Sequence, residues 1–149
     1  YEKVSDDIDH ELVLIGPENK SVHEQVDAQY SQEIVTPGFI SKKKLKYAYT
    51  NADLFLYPSL YEGFGLPPIE AMACGTPVVA SNRSSLPEIL NGYAKLVDPE
   101  DVSDIAGAVH QVATSTLTPT EEENLKKHAQ EFNWSSSVAS LVDVFRQVI

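Results

Sequence analysis

Between two apolar runs the chain carries the order Glu62-Gly63-Phe64-Gly65-Leu66-Pro67-Pro68-Ile69-Glu70, which holds the residue types best suited to chemistry. A carboxylate accepts two hydrogen bonds at once, so it suits a vicinal diol such as that of a ribose or a hexose. Gly63 and Gly65 let the backbone approach a ligand closely or take positive φ, and Pro67-Pro68 fixes the start of a following helix. The amides of Phe64, Gly65 and Leu66 would then point at an anion or a set of hydroxyls. Glu62 and Glu70 would reach one pocket from different sides. A plainer explanation stands beside this one. A Glu in a helix's first turn is favoured by the dipole alone, and glycines with prolines make loops everywhere.

These residues need a frame to hold them. Apolar, often β-branched runs recur along the chain: "LVLIG" from Leu12, "EIVTPGF" from Glu33, "DLFLYPS" from Asp53, "PVVAS" from Pro77 and "AKLVDP" from Ala94. Short continuous runs predict strands covered on both faces, as in a parallel sheet. Helix signals lie between them. Val22 to Tyr30 predicts one short helix, and Ser41 caps "KKKLKYAYTNA", where Leu45 and Tyr49 share a face. Pro67 and Pro68 open a helix that continues through "IEAMAC" and stops at Gly75, with Pro77 just beyond.

After the fifth strand the pattern is all helix. Asp101 caps a helix carrying Ile105, Ala108, Val109 and Val112, and Thr118-Pro119-Thr120-Glu121 has the form of a capping box. A last helix from about Ser135 presents Val138, Leu141, Val142, Phe145 and Val148 as a stripe. The series predicts an α/β fold, a Rossmann-like open parallel sheet with helices on both faces and a helical C-terminus, in a single domain over 1–149. In such sheets ligands bind at the carboxyl ends of the strands, and the loop from Ser59 to Pro67 falls there.

The bulk numbers narrow the function classes. At 42% hydrophobic and 22% charged, the 149 residues have the composition of a globular domain, and no apolar run approaches the ~20 residues of a membrane span. A net charge of -11 repels phosphate backbones and argues against nucleic acid as the main partner. Cys74 stands alone and reads as a small packed thiol, while His10, His23, His110 and His128 show no metal-ligand spacing. Tyr57 and Tyr61 are expected to border the loop, and Phe132 and Trp134 to anchor the terminal helices. Ser85 or Glu88 is expected to cap the helix after the fourth strand, with Glu88 also a candidate for the pocket. The first eleven residues lack the basic start and apolar stretch of a signal peptide, and the expectation is a piece of a longer chain.

The order from Glu62 to Glu70, followed by "AMACGTPVVAS" and "SSLPEIL", resembles the nucleotide-sugar-binding half of the retaining glycosyltransferases of family 4, which have the two-domain GT-B architecture. The resemblance extends through "TPGFIS" and "YTNADLFLYPS" upstream, and through "AKLVDPEDVSDIA" and "FNWSSSVASLV" downstream. It implies the donor-binding domain of an enzyme that moves a hexose-type sugar from a nucleotide-sugar to an acceptor such as a glycan or a lipid-linked saccharide. Glu70 would grip the ribose hydroxyls. Glu62 would face the donor sugar and affect the rate through orientation and electrostatics. The amides of Phe64, Gly65 and Leu66, with Gly63 in the same loop, would line the sugar and its nearest phosphate, and Phe39 and Ile40 would lie along the base. No cofactor and no metal is implied. The implied location is cytoplasmic, with peripheral contact at the inner face of the membrane as an extension.

The chain also departs from the family pattern. That domain normally starts with another strand, a glycine-containing loop and a basic pair, Arg and Lys, that neutralises the diphosphate. Here the first strand, those cations and the N-terminal acceptor-binding domain are expected to be absent, and the piece alone to be inactive. Lys42-Lys43-Lys44, with Lys46, opposes the dipole of its helix and reads as a solvated patch, or alternatively as an attractor of the anionic donor or of an anionic membrane. Two other functions remain open: a module that binds without turnover, and a GT-B epimerase or phosphorylase, against which the "EGFG" order argues.

Overall fold

The computed structural model describes residues 1, 3–5, 7–17, 34–90 and 92–148. Five short strands run in the predicted places: β1 (Leu12–Ile15), β2 (Ile34–Gly38), β3 (Phe55–Tyr57), β4 (Val78–Ser81) and β5 (Lys95–Val97). Helices follow from the predicted signals: α1 (Lys42–Asn51), α2 (Leu66–Ala73), α3 (Leu86–Leu90), α4 (Val102–Ala113), α5 (Pro119–Glu131) and α6 (Trp134–Val148). The helix expected over Val22 to Tyr30 lies outside the described residues.

All pairings are parallel, as continuous apolar runs require, but the strands form two ladders rather than one. β1 pairs with β2, and β3, β4 and β5 pair in that order. Among the described residues no strand pairing joins the two ladders. Side chains approach across the break, with His10 Nε2 3.8 Å from Asp53 Oδ2, just ahead of β1 and β3.

The core sits around β4, whose four residues are all buried. Val78 and Ala80 face one cluster with Ile69, Ala71 and Met72 of α2, Leu86, Ile89 and Leu90 of α3, and Leu125 and Ala129 of α5. Val79 faces the other, with Val97 and Ala108. Fully hiding a side chain of the size of Leu86 or Met72 contributes roughly 1.5–3 kcal/mol, so these faces hold the fold together. The caps are those the sequence signals. Asp101 accepts from the amides of Ser103 and Asp104, and Thr118 and Glu121 close a reciprocal capping box. Gly75 ends α2 with φ +86, and a side chain there would meet Glu122 of α5.

One apolar stripe is left open, and two expectations need correction. The stripe on α6 is not buried: Leu141, Val142 and Phe145 are exposed, and no residue of that helix packs into either core cluster. Periodicity reports which face is apolar and says nothing of what covers it. Trp134 is 86% exposed and anchors nothing, whereas Phe132 does pack against the core. Cys74 is only half-buried, because it sits at the C-cap of α2 rather than inside the helix.

Candidate functional site

The loop from Pro58 to Gly65 joins β3 to α2 at the carboxyl edge of the three-stranded ladder, where open parallel sheets present ligand sites. Glu62 is half-buried there, and its position is fixed from the strand side. The Tyr57 hydroxyl donates to Glu62 Oε1 at 2.5 Å, and Ser59 Oγ donates to the same oxygen at 2.9 Å. Among the described residues no group donates to Oε2, so one half of the carboxylate is restrained and the other half is open. Burial, followed by the hydrogen bond to Glu62, pushes the Tyr57 hydroxyl up to about 12, so it donates at every physiological pH.

Gly65 shows why this loop needs glycine. Its φ is +101, which strains any L side chain, and a Cβ there would lie 2.5 Å from Cδ2 of Leu86, which would have to shift. Gly65 is the N-cap of α2 and supplies no side-chain bond. Pro67 and Pro68 have no N–H, so two of the orphan donors of a helix's first turn do not exist. Among the described residues the amides of Gly63, Phe64 and Gly65 meet no protein acceptor. The donors available to a ligand are thus concentrated in the loop. Phe64 turns its ring toward α5, edge-on to Phe132 with centroids 5.6 Å apart, and Phe132 in turn meets buried His128, which stacks on Tyr93.

Glu70 stands one residue further into its helix than expected. α2 starts at Leu66, so Glu70 is its fifth residue and no acid occupies the first turn. The dipole effect fades within that turn, and the plainer explanation for Glu70 loses its force. Its side chain is exposed at the surface. It lies beside Tyr49, whose hydroxyl is pushed up to about 12 by burial first and by the Glu70 carboxylate next. Tyr49 meets Phe55 edge-on at 5.2 Å, and Phe55 stacks on Tyr57 at 5.7 Å. One aromatic row therefore runs from the neighbour of Glu70 to the neighbour of Glu62. Sequence reading placed Tyr57 at the border of the loop but missed Tyr49. The available signal was helical: Tyr49 shares a face with Leu45, toward the core.

The other candidates are placed as follows. Leu66 opens α2 and is exposed. Phe39 is 82% exposed just after β2, and Ile40 is half-buried beside it. Glu88 lies exposed in the first turn of α3. Ser85 stands at the N-cap of that helix, its carbonyl accepting from the Ile89 amide, but its hydroxyl gives no cap bond and is shared between two loop carbonyls, which sequence reading did not foresee. Lys42, Lys43 and Lys44 are exposed at the start of α1. Among the described residues no cluster of three His, Cys, Asp or Glu side chains is placed to hold a metal ion.

A family model described as "Glycosyl transferases group 1" matches residues 2–132. The chain belongs to the group 1 glycosyl transferases. Among curated members of similar sequence is O-antigen chain mannosyltransferase B of Escherichia coli, 36% identical over 110 residues, which cover 73% of this chain and 29% of that protein. MMP alpha-(1->4)-mannosyltransferase of Mycolicibacterium hassiacum is 32% identical over 156 residues, covering 99% of this chain and 37% of that protein. The chain thus spans well under half the length of these glycosyl transferases. In fold it is similar to sucrose-phosphate synthase from Thermosynechococcus elongatus, with a TM-score of 0.77 and 27% identity over 99% of this chain and 40% of the other. Anabaena Alr3699/HepE, solved with UDP and glucose, superposes with a TM-score of 0.79 at 22% identity over 92% of this chain and 40% of the other, a likeness of fold alone. The Rossmann-like α/β fold of a GT-B half is therefore that of this group 1 member.

Proposed function

We propose that this chain is the donor-binding part of a retaining hexosyltransferase of family 4, which transfers a hexose from a nucleotide-sugar to a saccharide acceptor. The carrying observation is the half-restrained carboxylate of Glu62 next to a loop whose amides have no protein acceptor. Glu62 Oε2 takes a hydroxyl of the donor sugar, the amides of Gly63, Phe64 and Gly65 receive the sugar and the phosphate nearest it, and Glu70 clasps the ribose diol. Phe39 and Ile40 lie along the base.

In this reading the residues orient the donor and stabilise charge as the diphosphate leaves, which requires no proton transfer from Glu62. The donor enters as substrate, with no metal or cofactor. Several of the similar curated proteins are mannosyltransferases, so mannosyl donors are the first to try. No helix among the described residues is long and apolar enough to cross a membrane; exposed Lys42 to Lys44 support peripheral contact with an anionic surface.

A thermal-shift panel of UDP-, GDP-, ADP- and dTDP-hexoses on the full-length protein tests this reading. One sugar nucleotide should stabilise it, by about 2.7 kcal/mol at 100 times its Kd. Transfer from that donor should fall by about 10²-fold or more in Glu62→Gln with the fold intact. A panel with no hit, or undiminished transfer by Glu62→Gln, would overturn the proposal.

A further inference from the structure

The loop carrying Glu62 is gripped on its far side by the residues that lead into α3. Ser84 Oγ donates to the Glu62 carbonyl at 2.6 Å. Ser85 Oγ reaches the same carbonyl at 3.2 Å and the Phe64 carbonyl at 3.0 Å. Leu86, the next residue, closes the space above Gly65. Three consecutive residues thus meet three of the four loop positions from 62 to 65.

Ser84 performs this with an uncomfortable backbone. Its φ is 58, and among the described residues it is the one non-glycine residue with positive φ. An L-residue other than Gly, Asn or Asp rarely adopts this conformation, and such residues persist where the surroundings over-determine them, often at functional sites. Here the hydroxyl bond to Glu62 is the compensating contact.

Peptide planarity turns these contacts into an orientation. In a trans peptide the N–H points opposite to the C=O. Tethering the carbonyl of Glu62 toward the serines sends the amide of Gly63 away from them, and tethering that of Phe64 does the same for the amide of Gly65. Neither amide has a protein acceptor among the described residues. Because glycine resists rotation least of all residues, both peptide planes would turn readily without an outside restraint.

We propose that Ser84 and Ser85 are positioning residues for the sugar nucleotide: they clamp the peptide planes at 62–63 and 64–65, so that two amides and the Glu62 carboxylate address the donor together. This rests on the donor-site reading above. The clamp touches the loop and not the substrate, and it acts through the amides it aims.

The test uses the full-length protein with the sugar nucleotide identified by the thermal-shift panel. Ser85→Ala frees the Phe64 carbonyl and removes the weaker of the two donors to that of Glu62, and kcat/KM for the donor should fall by about tenfold to a hundredfold, the scale set by small misplacements of reacting groups. Ser85→Thr keeps the hydroxyl and should recover most of that loss. Ser84→Gly supplies the decisive control, since it relieves the positive φ while removing a tether. Its melting temperature should hold or rise while donor kcat/KM falls.

Wild-type donor kinetics in Ser85→Ala and Ser84→Gly would overturn the clamp, as would losses that track the melting temperature in every variant. Failure of the donor reading looks different: the wild-type protein itself would bind no sugar nucleotide.

Discussion

The two ladders of this molecule are built alike and packed differently. β4 is buried on both faces between α2, α3 and α5 on one side and α4 on the other. β1 and β2 alternate half-buried and exposed residues up to the buried Gly38, with Val13, Ile15 and Val35 39–47% exposed. Both ladders read as equally apolar in sequence. The difference teaches that composition names a strand, while rigidity comes from the helices laid against it. Glu62, Gly65 and Glu70 all hang from the well-packed ladder, where a misplaced backbone is hardest to accommodate.

The strongest way to break this comparison is to remove matched side chains from the two halves. Leu86→Ala empties a fully buried position beside the loop and should cost about 2–5 kcal/mol in urea unfolding, whereas Val35→Ala should cost under about 1 kcal/mol. Equal costs would erase the distinction. Next in size is Gly65→Ala, which adds a Cβ where Leu86 already sits and strains a φ of +101, for a loss of about 1–3 kcal/mol and of donor binding. Gly63→Ala meets no atom within 4 Å and should leave stability within about 0.5 kcal/mol in the same measurement.

Caps sharpen the contrast further. Thr118→Ala opens the capping box of α5, a helix packed on α2, and should cost about 1 kcal/mol of global stability. Asn133, whose side chain accepts from the amide of Ser136, caps α6, which packs into neither core cluster. Asn133→Ala should therefore quicken amide exchange in α6 and leave the global unfolding midpoint in place.

The smallest effect at neutral pH is electrostatic. Tyr49 and Tyr57 hold their protons up to about 12 in the fold, while an unfolded tyrosine ionises near 10. Their contribution to stability is fully present below pH ~10 and is lost as pH rises toward ~12, because the unfolded chain releases its protons first. Urea midpoints measured across that window should decline less steeply in Tyr57→Phe than in the wild type.

Much of this was legible in the chain because its signals are local. Capping at Asp101 and Thr118 is written within three or four residues, and the five strands and their parallel pairing follow from five continuous apolar runs. The Glu62 loop was legible for the same reason. Non-local matters were not. Nothing near Val138 or Phe145 reports what lies opposite α6, and a break between β1 and β3 depends on a neighbour in space. Ser85 looked like an ordinary capping residue until the fold brought it, with Ser84, against a loop some twenty positions earlier. Glu70 was misplaced by a single residue in the helix start, enough to move it out of the first turn.

At Glu62 charge and reach are separable. With one oxygen moored to Tyr57 and Ser59, the side chain behaves as a fixed arm, and its length determines how far the other oxygen projects. An aspartate would carry the same charge on an arm one methylene shorter. If the mooring held, its outer oxygen would be withdrawn toward Tyr57 and Ser59. Selectivity for the size of the sugar would then be a matter of that arm's length.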